Sequence, residues 1–172
     1  VAVLQQHGVA VDVHPQQVQS GMSAVSMGAV DIARSLAARN LAILADAVRQ
    51  GYQIVTTEPA AALCLTHEYL NLFDEEDARL VAENSSEACT YLWRLHQAGK
   101  LELDLRPLNA TLGYHLPCHL KALGVGSPGE DLLRLIPGLT LQRIERGCSG
   151  MAGAFGLKRQ NYRTSLRAGW GL

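Results

Sequence analysis

"DIARSLAARNLAILADAVRQGYQIVTTEP", residues 31–59, reads as helix, stop, strand and the start of a second helix. The apolar residues Ile32, Leu36, Ala37, Ile43, Leu44 and Val48 recur near helical spacing, which predicts one amphipathic helix ending at Gly51. After that glycine, "YQIVTTE" has the β-branched character of a strand, and Pro59 suits the first turn of the next helix. A helix that feeds a short apolar strand and returns at once to helix is the rhythm of an α/β protein.

The alternation extends in both directions. Upstream, "VAVLQQHG" (1–8) reads as the closing turns of a helix stopped by Gly8. "VAVDVH" (9–14) reads as a strand ending at Pro15, and residues 16–28 as a loop of small residues. Downstream, 60–73 is predicted helical, and an acidic helical stretch covers 74–99 up to Gly99. A strand falls near 108–115, a short helix "EDLLRLI" follows Pro128 and Gly129, "LTLQRIE" (139–145) is a strand, and helix resumes within 157–170. "QSGMSAVSMG" (19–28) and "CSGMAGAFG" (148–156) share Ser-Gly-Met, and each is expected to follow a strand and precede a helix containing Ser-Leu. The expected architecture is an α/β three-layer sandwich with a mainly parallel sheet and two pseudo-repeated halves, 1–100 and 101–172. Gln19 then occupies the place of Cys148.

Composition narrows the functional classes. Nearly half of the 172 residues are apolar (48%) while aromatics are only 5%, which favours helices on a sheet over an aromatic-rich all-β domain. Fifteen Lys and Arg against sixteen Asp and Glu leave no field to recruit nucleic acid or an anionic membrane. Four scattered cysteines are too few for a secreted disulfide scaffold, so a reducing, cytoplasmic setting is expected. No apolar run is long enough for a transmembrane segment, and the first residues lack the pattern of a signal peptide. The start at Val1 and the apolar "WGL" end suggest a piece of a longer protein.

Chemistry concentrates in two places. "YHLPCHLKALG" (114–124) bunches His115, Cys118 and His119 where a strand gives way to a helix, the edge at which open α/β sheets place their ligand crevices. Cys118 stands near a helix start, a position that favours a thiolate. Cys148 also follows a strand, so both thiols are expected at one sheet edge. Three chemistries fit: an iron–sulfur cluster, which wants about four thiolates; a zinc site of Cys118, Cys148, His115 and His119; or a catalytic thiol with a histidine base. Met151 excludes a serine-hydrolase elbow. Cys64 and Cys89 read as core, His67 and His96 as surface or capping residues, and Glu75, Glu76 and Asp77 as a solvated helix start. The basic residues from Arg143 to Arg167 read as a solvated face.

"GCSGMAGAFGLKRQNY" (147–162) resembles the Cys-Cys-Gly signature of the cysteine-rich domain found in the B subunit of heterodisulfide reductase, in the iron–sulfur subunits of anaerobic glycerol-3-phosphate dehydrogenase and glycolate oxidase, and in FAD-linked oxidases. "YHLPCHLKALG" resembles the upstream cysteine of the same motif, and "ARNLAILADAV" (38–48) and "GYQIVTTEP" (51–59) extend the likeness over nearly the whole chain. The resemblance implies a 4Fe-4S cluster held by each half through one cysteine, a Cys-Cys-Gly and a later Cys-x-x-Cys. Gln19 and Ser20 stand where the first Cys-Cys would be, and Glu58 and Ala61 where its Cys-x-x-Cys would fall. In the second half Cys118 and Cys148 persist, Ser149 replaces the second cysteine of the pair, and the Cys-x-x-Cys would fall beyond Leu172. Gly147, Ser149 and Gly150 would let backbone N–H groups approach the cluster.

What the resemblance implies is an iron–sulfur electron-transfer module of an FAD-linked oxidase or a 2-hydroxy-acid or glycerol-3-phosphate-type dehydrogenase, without an intact cluster on these residues alone. FAD and substrate chemistry would belong to a flavin-containing dehydrogenase domain or subunit, with a quinone or another iron–sulfur protein as acceptor. The location would be cytoplasmic or peripheral at the inner face of the cytoplasmic membrane. The alternatives are a cluster-free scaffold that docks a partner, and a mononuclear zinc site or thiol enzyme.

Overall fold

The computed structural model describes residues 1–101 and 103–171; Leu172, the last residue of the apolar end, lies outside them. Helix α1 (Ala2–Gln6) is followed by α2 (Met22–Ser26) and the long α3 (Val30–Arg49), then β1 (Ile54–Thr56). Helix α4 (Pro59–Leu63) passes through a π-helical turn (Cys64–Glu68) into α5 (Tyr69–Leu72). Next come α6 (Glu76–Glu83), β2 (Ser85–Glu87) and α7 (Ala88–Gln97). The second half carries β3 (Ala110–Tyr114), α8 (Cys118–Leu123), α9 (Pro128–Arg134) and β4 (Leu139–Arg143). Two short 3-10 turns, Phe155–Leu157 and Arg159–Asn161, lead into α10 (Tyr162–Gly169). The chain is α/β with parallel strands: β1 pairs with β2 and β3 with β4, as two separate parallel pairs among the described residues.

Helix stops fall at the glycines that the sequence marks. Gly51 sits at φ 91°, its N–H bonds to Val48 O (2.9 Å), and Tyr52 N–H reaches Ala47 O (3.1 Å). That pair of bonds is a Schellman closure, which needs the left-handed conformation that glycine adopts without penalty. Gly8 and Gly99 end α1 and α7 with the same two bonds. Pro59 and Pro128 open α4 and α9 at their first turns.

The buried stripe of α3 differs from the one its large apolar residues suggest. Ala33, Ala37, Asn40, Leu41 and Ala45 are buried, whereas Ile32 is 59% exposed. Small side chains let α3 lie close against α6, and Ala37, Leu41 and Ala45 pack with Cys64, Leu65, Tyr69, Ala78 and Val81 in one core. Close approach of the backbones, rather than side-chain bulk, selects this face.

Three further expectations are corrected. Residues 9–14 form no strand, because among the described residues no neighbouring strand offers them a ladder. The supposed loop at 16–28 contains α2. The acidic stretch 74–99 is broken by β2: Asn84 Nδ2 donates to Leu80 O (2.9 Å) and Ser85 Oγ to Val81 O (2.6 Å), closing α6. Glu87 then accepts from Thr90 N–H (3.0 Å) and caps α7. Ser-Ser-Glu has little intrinsic strand preference, and its pairing with β1 decides the matter.

In the second half, the buried Glu130 of α9 is bound by Arg134 (2.6 Å) and by Arg143 of β4 (2.6 Å), which fastens helix to strand. Bonds from Arg134 and then Arg143 hold this carboxyl below its usual range. A depressed native pKa contributes stability above the ordinary carboxylate range that is lost as pH falls through the native value. Urea melts should therefore show Glu130→Gln less stable than the parent chain at neutral pH, with the gap closing as the solution is acidified. A gap independent of pH would contradict the ionic role.

Candidate functional site

Parallel pairing of β3 and β4, in register from Ala110↔Leu139 to Tyr114↔Arg143, sends both chains out at the same end. Ile144 N–H still bonds to Tyr114 O (2.8 Å), after which the two connections separate. The first runs through His115 and Pro117 to Cys118, the first residue of α8. The second runs to Cys148. A bond between His115 Nε2 and Gly147 O (3.1 Å) ties them together. The carbonyl can only accept, so Nε2 carries the proton and Nδ1 is the ring nitrogen left free.

Cys118 and Cys148 are both exposed, both unbridged, and both on the wall of one cleft of about 1560 Å³. His115, His119, Gly147 and Ser149 line the same cleft, and so do Gln19, Ser20, Glu58 and Ala61 of the first half. The positions that the resemblance pairs across the two halves thus share a cavity.

The two walls are held differently. On the first-half side, Asn40 Nδ2 donates to Val18 O (3.2 Å), Gln19 O (3.1 Å) and Tyr69 OH (3.1 Å), while its Oδ1 accepts from Val18 N–H (3.0 Å). Tyr69 OH (3.0 Å) and Cys64 Sγ (3.2 Å) both donate to Ser20 O. All three side chains are buried, and burial pushes the Cys64 thiol up to about 11 and the Tyr69 phenol up to about 12. Both therefore stay protonated at neutral pH, as donors to a carbonyl must. Asn40 and Tyr69 were missed in the sequence; the available signal was a polar residue standing in the buried register of an alanine-rich helix.

On the second-half side, Gly150 is buried at φ 84°, its N–H donates to Cys148 Sγ (3.2 Å), and Ser165 Oγ of α10 donates to Gly150 O (2.7 Å). A Cβ at residue 150 would overlap the Ser165 carbonyl, and one at Gly169 would overlap that of Ser149. These glycines serve a close backbone approach between the cysteine loop and α10. Ala152, at φ 41°, is the one non-glycine with positive φ among the described residues.

The donor set decides what the cleft can hold. Cys64 is committed to Ser20, as above. Cys89 is half-buried, and desolvation, then Glu87, pushes its thiol up to about 11. Two thiols remain where a 4Fe-4S cluster wants about four. Among the described residues no three His, Cys, Asp or Glu side chains converge to hold a metal ion, and no hydrogen bond joins Cys118 or Cys148 to a histidine. These residues alone do not fit a cluster. His67 bonds to Thr66 Oγ1 (2.8 Å) on the surface and His96 lies against Trp93, so neither joins the site.

Comparison with known proteins points to redox enzyme subunits. The C subunit of anaerobic glycerol-3-phosphate dehydrogenase from Escherichia coli (strain K12) is 32% identical over 170 residues, covering 98% of this chain and 42% of that protein. The B subunit of fumarate reductase (CoM/CoB) from Methanothermobacter marburgensis is 28% identical over 155 residues, 88% of this chain and 28% of that protein. The chain thus spans less than half the length of these curated relatives. No family model matches it, and no solved structure does.

Two outcomes follow from this geometry. Titration with a thiol reagent should label Cys118 and Cys148 first, Cys64 reacting only on unfolding; prompt labelling of Cys64 would refute its buried bond to Ser20. Tyr69→Phe should lower the unfolding free energy by about 1–3 kcal/mol, since Ser20 O loses a donor and Asn40 an acceptor. Urea denaturation measures the difference.

Proposed function

We propose that this chain is part of the electron-transfer module of a larger dehydrogenase or reductase. The observation that carries the reading is that Cys118 and Cys148 line one cleft, on two loops leaving the same end of a parallel strand pair. The names of the curated relatives, subunits of a dehydrogenase and of a reductase, support the class. The finer reading is a three-layer α/β sandwich of two related halves, 1–100 and 101–172, in which the second half retains two thiolates toward a 4Fe-4S cluster. The remaining donors come from polypeptide outside these residues. Gly147, Ser149 and Gly150 form the backbone cradle, and His115 and His119 flank it. FAD resides on a partner domain or subunit, and a quinone or another iron–sulfur protein takes the electrons.

In this arrangement the residues at hand have defined tasks. His115 holds the two loops together through Gly147 O. The Gly150 N–H donates to Cys148 Sγ, which holds the sulfur against the loop backbone. The Asn40–Tyr69–Cys64 knot fixes the facing wall. Attachment to the inner face of the cytoplasmic membrane belongs to the same proposal; among the described residues no helix is long and apolar enough to cross one.

A second reading is a cluster-free scaffold that docks a partner. It is favoured by the lack of three converging metal-binding side chains among the described residues and by Gln19, Ser20, Glu58 and Ala61 at the first-half positions. Anaerobic iron–sulfur reconstitution of the full-length protein, followed by visible absorbance and EPR, separates the two. The electron-transfer reading expects a cluster signal that is lost in both Cys118→Ala and Cys148→Ala. Iron-free protein that still supports turnover with its flavoprotein partner would establish the scaffold instead. Stoichiometric zinc lost on replacing His115 or His119 would favour a mononuclear site.

A further inference from the structure

Residues 9–13 have the alternating valines of a strand, yet among the described residues their backbone makes only one hydrogen bond, from Val9 N–H to Leu4 O (3.0 Å). β1, which lines the same cleft, is in a complementary situation. It pairs with β2 on one side only, and Ile54 N–H, bonded to Asn84 O (2.8 Å), fixes which side that is. Backbone groups of successive strand residues alternate in direction, so Val55 presents its N–H and C=O to the opposite edge.

That edge faces the cleft. Val9, Val11 and Val13 line the same cleft as Ile54, Val55 and Thr56, with no backbone bond between the two segments among the described residues. Leu44 of α3 and Tyr91 and Leu92 of α7 also reach this space. Parallel strands are ordinarily covered on both faces and rich in Val and Ile, yet all three residues of β1 are only half-buried. An open edge of β1 and an unpaired, valine-rich segment thus share one cleft lined by apolar side chains.

We propose that this slot accepts an apolar β-strand of about five residues, inserted beside β1 by strand addition and donated by polypeptide of the same longer protein outside residues 1–172. The apolar lining sets the chemistry of the donor, and the open edge of β1 supplies its backbone partners. The curated relatives supply the covalent source: this chain spans only 42% and 28% of them, so ample further polypeptide belongs to proteins of this kind. A tethered donor also binds at high effective concentration. The inference stands apart from the electron-transfer reading, because it concerns backbone edges and involves neither thiol.

The experiment uses the full-length protein. A benzophenone-bearing amino acid replaces Val11, the sample is irradiated, and cross-linked peptides are mapped by mass spectrometry. In parallel, hydrogen exchange of the unmodified protein is followed at the amides of Val55 and Thr57, which keeps the test valid should the substituted protein fold poorly. The proposal expects a cross-link to a segment outside 1–172 of the same chain, with those amides slowed about a hundredfold or more relative to an unstructured peptide. A cross-link to residues 53–57 would mean that the gap has closed on itself. A cross-link to another protein would mean a foreign donor, and exchange at the unstructured rate would mean an empty edge. Each of these three results overturns the proposal.

Discussion

The closeness of α3 to the helices beneath it governs the first half of this molecule. Ala37 and Ala45 are fully buried, and their lack of bulk brings the helix near enough for Asn40, on the same stripe, to reach the Tyr69 hydroxyl. From there the chain of bonds runs outward, Asn40 to Val18 and Gln19, Tyr69 and Cys64 to Ser20, until a surface loop is fixed by three buried side chains. A buried polar knot is tolerable only when its members are satisfied, and the loop backbone supplies the missing acceptors. The core and the cleft wall are thus one construction.

The facing wall rests on another principle. Parallel pairing delivers the loops after β3 and β4 to one end of the strands, and His115 couples them. Glycines at 150 and 169 then let α10 press its backbone on the cysteine loop. The wall that has lost the cysteine positions of the resembled motif is the more deeply anchored one. The wall that keeps two cysteines leaves them exposed, held through backbone contacts beside them. In the proposed electron-transfer reading, the second half would receive the further ligands while the first half serves as a fixed support.

Both parallel pairs are short and thinly covered. β1 is half-buried along its length, and β3 leaves Thr111, Leu112 and Gly113 exposed. Strand pairs of this kind are marginal by themselves, and α4, α7 and α9 pack against them here. Their open edges and faces accord with relatives more than twice as long as the chain.

Local events were legible in the residues alone. Gly8, Gly51 and Gly99 stop their helices because the turn needs a left-handed residue. Pro59 and Pro128 open helices because they lack only an N–H that would be unpaired anyway. The cysteines after β3 and β4 could be placed at strand ends from motif and rhythm. Whatever depends on a neighbour had to wait for the folded chain: Ser85–Glu87 becomes a strand because β1 lies beside it, while Val9–Val13, with far better strand composition, does not, because among the described residues no strand pairs with it. Folding also settled that alanines rather than Ile32 face the core, and that Asn40 and Tyr69 hold the site, since hydrogen bonds between residues 22 and 29 positions apart leave no local trace in the chain.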